Sequence, residues 1–150
     1  MSMMLKEKLS IKKRFKILNM NHVAVATENS NLLKLLFSDI LGMNVKNKEY
    51  VDSESVQITK VFADDNKTSI EIVEPINESS PINKFLVNKG KGIHHIALTV
   101  DNIYNAIEYM TKKNIKLVYN TPQEGSDNTL ITFIHPKSSP GILIELCQKL

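Results

Sequence analysis

The segment Ile93-His94-His95-Ile96-Ala97-Leu98-Thr99 decides the fold, because its pattern occurs twice in the chain. The earlier copy is Met20-Asn21-His22-Val23-Ala24-Val25-Ala26. Each copy is later followed by an apolar strand pattern that contains one carboxylate, Glu71 in the first copy and Glu145 in the second. The histidine and the glutamate are 49 positions apart in the first copy (71 − 22) and 50 in the second (145 − 95). This near-equal spacing indicates an internal repeat of one structural unit.

Each copy has the pattern of a strand, a helix and several further strands. In the first copy, Asn29 or Ser30 can cap a helix that Gly42 ends, with leucine and isoleucine at helical spacing between them. In the second copy, a helix begins after Asp101 and carries apolar residues at the same spacing. The remaining strand patterns cover residues 56–63, 69–73, 129–133 and 142–146. We therefore predict an α+β fold made of two paired βαβββ modules.

The predicted domain organisation is simple. Ser80 and Pro81 open a short helix between the two copies, and Gly90 closes it. The predicted parts are a basic N-terminal extension (1–16) and a single domain (17–150) made of module one (17–76), a linker helix (77–92) and module two (93–148).

Composition limits the class of protein. The chain has 150 residues, 42% hydrophobic and 23% charged, which is typical of one globular domain. A single cysteine, Cys147, excludes an internal disulfide and fits a reducing compartment, so we expect a cytoplasmic protein, or a mitochondrial matrix protein in a eukaryote. No apolar run is long enough to span a bilayer. The sequence also lacks a basic face with interleaved aromatic residues, so we do not expect a nucleic-acid partner.

Strand alternation places each repeated histidine on one face with small side chains. His22 shares its face with Ala24 and Ala26, whereas the bulky residues between them face the predicted helix. We expect the small residues to leave an open cup on that inner face. Glu71 and Glu145 interrupt apolar strands, and a buried carboxylate requires a compensating partner.

These residues favour a metal site when they are taken together. A single strand histidine is usually structural, and a single glutamate is usually solvated or paired with a cation. The same pair at matching spacing in two copies instead predicts that His22, Glu71, His95 and Glu145 hold a divalent first-row metal ion. His94 has no histidine counterpart in the first copy, where Asn21 takes its place, so we expect it to support the site or to be structural.

Longer motifs carry a family resemblance. The chain resembles the methylmalonyl-CoA epimerases, a branch of the vicinal-oxygen-chelate or glyoxalase group, over about residues 17 to 147. The motifs are Glu74-Pro75-Ile76, Ser79-Ser80-Pro81-Ile82-Asn83-Lys84-Phe85-Leu86, Gly90-Lys91-Gly92-Ile93-His94-His95 and His135-Pro136-Lys137-Ser138. The resemblance implies the same four metal ligands, a Co²⁺, Mn²⁺, Zn²⁺ or Ni²⁺ ion, an acyl-CoA substrate and a homodimer. The second ligand is Gln in some epimerases, so Glu71 is an accepted variant.

The implied reaction interconverts (2R)- and (2S)-methylmalonyl-CoA through a metal-stabilised enediolate. Inversion requires an acid and a base on opposite faces of the substrate, and Glu145 is the expected base on one side. Some epimerases place a glutamate on the strand before the second ligand, and gapless alignment back from Glu71 puts Lys60 there. Lys60 is thus a candidate second acid/base, or it holds the substrate carboxylate or a CoA phosphate, or it is solvated.

Other functions of the same group share part of this pattern. A glyoxalase I-like lactoylglutathione lyase uses the same ligand types on a glutathione adduct, but the linker and His-Pro-Lys motifs favour the epimerase. A ring-cleaving dioxygenase needs open metal positions, and Glu71 takes one of them. A non-catalytic ligand-binding protein of this fold generally lacks a complete ligand set, whereas all four candidates are intact here.

Overall fold

The computed structural model describes residues 11–46 and 48–150. The chain forms two compact units, which are described separately below. The N-terminal unit comprises residues 20–97, and the C-terminal unit comprises residues 98–150 with the segment that precedes residue 20. The strands are β1 (Ile17–Ala26), β2 (Asn44–Val45), β3 (Glu49–Val51), β4 (Val56–Phe62), β5 (Ser69–Pro75), β6 (Gly92–Val100), β7 (Gln123–Glu124), β8 (Thr129–Ile134) and β9 (Ile144–Lys149). The α-helices are α1 (Asn31–Lys34), α2 (Pro81–Lys89) and α3 (Ile103–Lys112).

In the N-terminal unit, β5 is the central partner of two strands. It runs antiparallel to β4, where Lys60 lies opposite Glu71, and parallel to β1, where Ala24 lies beside Glu71. The short strands β2 and β3 both pair antiparallel with β4. Parallel pairing of β1 with β5 requires a crossover connection, which the intervening helix and strands supply. This register brings Lys60, Ala24 and Glu71 into one row across the sheet.

Helix α2, the predicted linker helix, covers part of the inner face of this sheet. It begins as predicted, since Ser80 accepts a hydrogen bond from the backbone N–H of Ile82 (3.3 Å) and Pro81 occupies the first turn. Ile82 and Leu86 pack in one apolar cluster with Ala24 and Ala26, which are fully buried. The expectation of an open cup beside Ala24 and Ala26 is therefore wrong. Their small side chains instead allow a helix to approach the sheet closely.

The first predicted helix is less regular than its sequence pattern suggests. Helix α1 has four residues and continues as a π-helical segment (Leu35–Ile40), in which Leu41 N–H donates to the Leu36 carbonyl. Ser30 precedes its first residue but makes no side-chain capping hydrogen bond, whereas Oδ1 of Asn29 accepts from the Asn31 N–H at 2.9 Å. The apolar residues of the two segments do not form a buried stripe, since neither segment contains a buried residue. Leu32 and Ile40 are 74% and 67% exposed.

In the C-terminal unit, β8 pairs antiparallel with both β7 and β9. Helix α3 begins where the sequence predicts, and the Asn102 side chain caps it by accepting from the Asn105 N–H. Its inner face packs in a core with residues of β6 and β9, and Phe15 belongs to the same core at 5% exposure. The basic extension predicted for residues 1–16 thus contains a core residue at its end, whereas its first ten residues lie outside the described residues.

Among residues 11–46 and 48–150, no helix is both long enough and apolar enough to cross a bilayer.

Candidate metal centre

Three of the four predicted ligands meet in the N-terminal unit. His22, Glu71 and His95 are all buried, and His22 stands between the other two. Its Nε2 atom lies 3.0 Å from Nε2 of His95 and 3.3 Å from Oε2 of Glu71. Nε2 of His22 is therefore close to a second imidazole and to a carboxylate at the same time.

Strand geometry explains why these side chains face one another. His22 and Ala24 lie on the same face of β1, because side chains alternate along a strand. Glu71 lies beside Ala24 in the β1–β5 register, so it shares that face. Since alanine occupies little volume, the Glu71 side chain has room to extend toward His22. His95 on β6 completes the group, and its ring meets the His22 ring edge-to-face at 5.2 Å between centroids.

These distances fit a metal ion. Nitrogen and oxygen ligands bind first-row ions at about 2.0–2.2 Å, so two ligands of one ion are about 3.0 Å apart at right angles and about 3.4 Å apart at the tetrahedral angle. The measured separations of 3.0 Å and 3.3 Å around His22 Nε2 lie within this interval. The donor set is also chemically suitable, because imidazole and carboxylate ligands bind Zn²⁺, Co²⁺, Mn²⁺ and Ni²⁺. The residues present therefore fit the predicted ion.

Lys60 also lies next to Glu71. Its Nζ atom is 3.3 Å from Oε1 of Glu71, and its side chain is 11% exposed. The contact follows from the β4–β5 register, which places the two residues directly opposite each other. The interpretation of Lys60 as a solvated surface lysine is therefore wrong. A buried carboxylate next to a lysine is partly compensated even when no other cation is bound.

The other ring nitrogen of each candidate ligand histidine also has a partner. Nδ1 of His22 is 2.8 Å from Oδ1 of Asn21, and Nδ1 of His95 is 2.8 Å from Nδ1 of His94. The His94 ring in turn meets the Phe85 ring of α2 edge-to-face, with 4.8 Å between centroids. Asn21 had no predicted role. Its position immediately before a candidate ligand histidine, matched by His94 in the other copy, was the signal that could have found it.

Glu145 belongs to the C-terminal unit. It lies on β9 opposite Phe133 of β8 and is buried, like Glu71 in the other unit. In the same unit, Nδ1 of His135 accepts a hydrogen bond from the Lys137 N–H at 3.1 Å, which gives this histidine a role in a local turn.

Known proteins share this arrangement of modules. A model of the Glyoxalase/Bleomycin resistance protein/Dioxygenase superfamily matches residues 21–133. The chain belongs to this glyoxalase superfamily. It is 37% identical over 131 residues to the mitochondrial methylmalonyl-CoA epimerase of Dictyostelium discoideum, covering 87% of this chain and 78% of that protein.

Solved structures of methylmalonyl-CoA epimerases are also similar to this chain. The methylmalonyl-CoA epimerase of Mycobacterium tuberculosis is 30% identical, with a TM-score of 0.84 and 89% of each chain covered. A methylmalonyl-CoA epimerase in complex with methylmalonyl-CoA and NH4+ is 25% identical, with a TM-score of 0.81 over 89% of this chain and 96% of that one. The predicted glyoxalase fold, the epimerase resemblance and the expectation of an enzyme of the isomerase class are confirmed.

Proposed function

We propose that this glyoxalase-superfamily protein is a metal-dependent methylmalonyl-CoA epimerase. The observation that carries the proposal is the position of His22 Nε2, which lies 3.0 Å from Nε2 of His95 and 3.3 Å from Oε2 of Glu71. The relatives named methylmalonyl-CoA epimerase support the substrate. A malonyl thioester has two oxygens, one on the thioester and one on the carboxylate, which could bind a divalent ion held by these residues.

The proposed ligands are His22, Glu71, His95 and Glu145. Glu145 occupies in the second module the position that Glu71 occupies in the first, and it is likewise buried within an apolar strand. Two neutral imidazoles and two carboxylates balance the charge of a divalent ion, for which Co²⁺, Mn²⁺, Zn²⁺ and Ni²⁺ are the candidates. When bound, the ion supplies Lewis-acid stabilisation for the negative charge that develops on the thioester oxygen.

The acid and base must come from the chain's own residues. Inversion at C2 requires one group to remove a proton from one face and another group to return a proton to the opposite face. We assign Glu145 as the group on one face and Lys60 as the group on the other. Lys60 is supported by its position beside Glu71 and by its low exposure, which keeps water away from the amine. Its ammonium group carries protons and is held beside the proposed ligands by the contact with Glu71.

The proposed assembly is a homodimer in a reducing compartment such as the cytoplasm or the mitochondrial matrix. The apolar side chains of the first helical segment, Leu32 and Ile40 among them, are exposed in the described chain and suit burial against a second copy. Cys147 is a free, buried thiol, which is compatible with a reducing environment. Light scattering after size-exclusion chromatography tests the dimer, and a monomer at micromolar concentration would contradict it.

Deuterium exchange at C2 of methylmalonyl-CoA in heavy water tests the main proposal. Purified protein is assayed with and without EDTA, beside the glutathione–methylglyoxal adduct as the substrate of the competing lyase. We expect exchange with racemisation that EDTA abolishes and an added divalent ion restores, and no turnover of the adduct. Turnover of the adduct alone would mean that the protein is a lactoylglutathione lyase. Exchange that continues in EDTA would contradict the metal dependence of the reaction.

A further inference from the structure

We propose that Asn21 and His94 are positioning residues, each of which holds Nδ1 of the ligand histidine that follows it in the chain. The inference rests on the proposed metal site, because its consequence is that Nε2 of His22 and of His95 is kept ready to bind an ion. It adds two residues to that site, neither of which is a proposed ligand.

Asn21 determines which nitrogen of His22 carries the proton. Its Oδ1 atom has no hydrogen and only accepts, so Nδ1 of His22 donates across the 2.8 Å contact. A neutral imidazole has one N–H, and Nε2 of His22 therefore carries the lone pair that a metal ion requires. The same bond restricts rotation of the ring, which keeps Nε2 directed at Glu71 and His95.

His94 performs the same task for His95 with a different chemical group. Its Nδ1 atom is 2.8 Å from Nδ1 of His95, and it accepts when its own proton is on Nε2. The His94 ring is fixed by Phe85 of α2, whose ring it meets edge-to-face at 4.8 Å. Helix α2 thus supports the site through Phe85 and His94, although none of its residues is a proposed ligand.

The arrangement recurs in both copies of the repeat, which argues against coincidence. In each copy, the residue immediately before the ligand histidine contacts Nδ1 of that histidine at 2.8 Å. When both Nδ1 atoms donate, the two Nε2 lone pairs face each other across 3.0 Å. Two lone pairs at this distance repel, and a cation between them removes the repulsion. The partners of Nδ1 therefore prepare the pair for an ion rather than for direct contact.

Metal affinity tests the proposal without any assay of catalysis. Zn²⁺ affinity is measured by competition with a chromophoric chelator for the wild-type protein and for two sets of variants. We expect Asn21→Leu and His94→Leu to bind Zn²⁺ about 10–100-fold more weakly, the usual effect of removing such a partner. Asn21→Asp and His94→Asn each retain an acceptor oxygen and should stay within a few-fold of the wild type.

Matched controls separate positioning from general damage. Asn19→Leu removes an asparagine from the same strand, whose Oδ1 accepts from Thr99, and His135→Leu removes a histidine that caps a local turn. Both should leave Zn²⁺ affinity unchanged. If the wild type binds Zn²⁺ and the two leucine variants bind it equally well, the positioning role is wrong. If the wild type does not bind Zn²⁺, the proposed metal site itself is wrong.

A second measurement needs no variant and covers the case in which a leucine variant does not fold. Long-range ¹H–¹⁵N correlation spectra report which ring nitrogen is protonated in each of the chain's 4 histidines. In the metal-free wild type, we expect His22 to carry its proton on Nδ1. A His22 ring that is protonated on Nε2 and not on Nδ1 would overturn the role of Asn21.

Discussion

The Nζ atom of Lys60 lies 3.3 Å from Oε1 of Glu71, directly across the β4–β5 pair. The other carboxylate oxygen of Glu71 lies 3.3 Å from Nε2 of His22. One buried carboxylate therefore connects a candidate metal ligand with a candidate acid/base group. A change at Glu71 should therefore affect both the stability of the N-terminal unit, through Lys60, and metal binding, through His22.

Two replacements of Lys60 should distinguish the stabilising effect of its positive charge from its role in proton transfer. Lys60→Met leaves Glu71 buried without its cation, which should lower the free energy of unfolding by about 3 kcal/mol in EDTA, the lower end for a broken buried pair. Lys60→Arg keeps a permanent charge and should preserve most of that stability, while racemisation falls by about 100-fold or more because the guanidinium does not release its proton. Urea unfolding and the C2 exchange assay measure the two effects. Full racemisation by Lys60→Arg would show that Lys60 contributes charge only.

Replacing Glu71 should change metal affinity in graded steps. Glu71→Gln keeps an oxygen ligand but loses a negative charge, and we expect Zn²⁺ affinity to fall by about tenfold, equal to about 1.4 kcal/mol. Glu71→Leu removes the ligand and should weaken binding much further. Chelator competition gives both values, and equal affinity for the glutamine and leucine variants would contradict a ligand role.

Metal binding should stabilise the folded protein. An ion that binds only the folded state at 100 times its dissociation constant adds about 2.7 kcal/mol to the free energy of unfolding. We expect Co²⁺ or Zn²⁺ to raise the melting temperature of the wild type but not of His22→Ala. His135→Ala should respond like the wild type, because His135 takes part in a local turn. An equal response from His22→Ala would place the binding elsewhere.

Substitution of two neighbouring residues of α2 tests whether that helix packs against the apolar cluster through Leu86. Leu86 is 8% exposed and belongs to the apolar cluster with Ala24 and Ala26, whereas Val87 is 84% exposed. Leu86→Ala should lower the free energy of unfolding by about 2–5 kcal/mol, the usual cost of a cavity in a core. Val87→Ala should change it by less than about 0.5 kcal/mol. Urea unfolding compares them, and similar effects would mean that α2 does not pack as described.

The exposed face of α3 gives a prediction about pH. A hydrogen bond from Lys112 and the lysine's charge hold the pKa of Glu108 below its ordinary value. A lowered folded-state pKa stabilises the fold above the ordinary pKa and loses this contribution as the pH falls through the lowered value. Lys112→Met should move the pKa of Glu108 back up, as measured by NMR titration of its side-chain carboxyl carbon. An unchanged titration would show that the ion pair does not persist in solution.

Sequence patterns predicted the features that depend on local chemistry. Ser80 and Asn102 cap helices where expected, because a side chain that accepts from a backbone N–H near the helix start acts within a few residues. The repeat also identified His22, Glu71 and His95 as a group. The two copies keep nearly the same spacing between histidine and glutamate, and alternation along a strand determines which residues share a face.

Features that depend on register and packing required the tertiary structure. The sequence by itself determined the two modules and the chemical types of the candidate ligands, since both follow from repeated spacing and residue identity. Only the fold decided that Lys60 pairs with Glu71, that α2 fills the space beside Ala24 and Ala26, and that Asn21 and His94 contact Nδ1 of the two candidate ligand histidines. These contacts depend on strand register and on side-chain rotation. Each of these is set by the balance of long-range packing energies, which no local pattern of residues encodes.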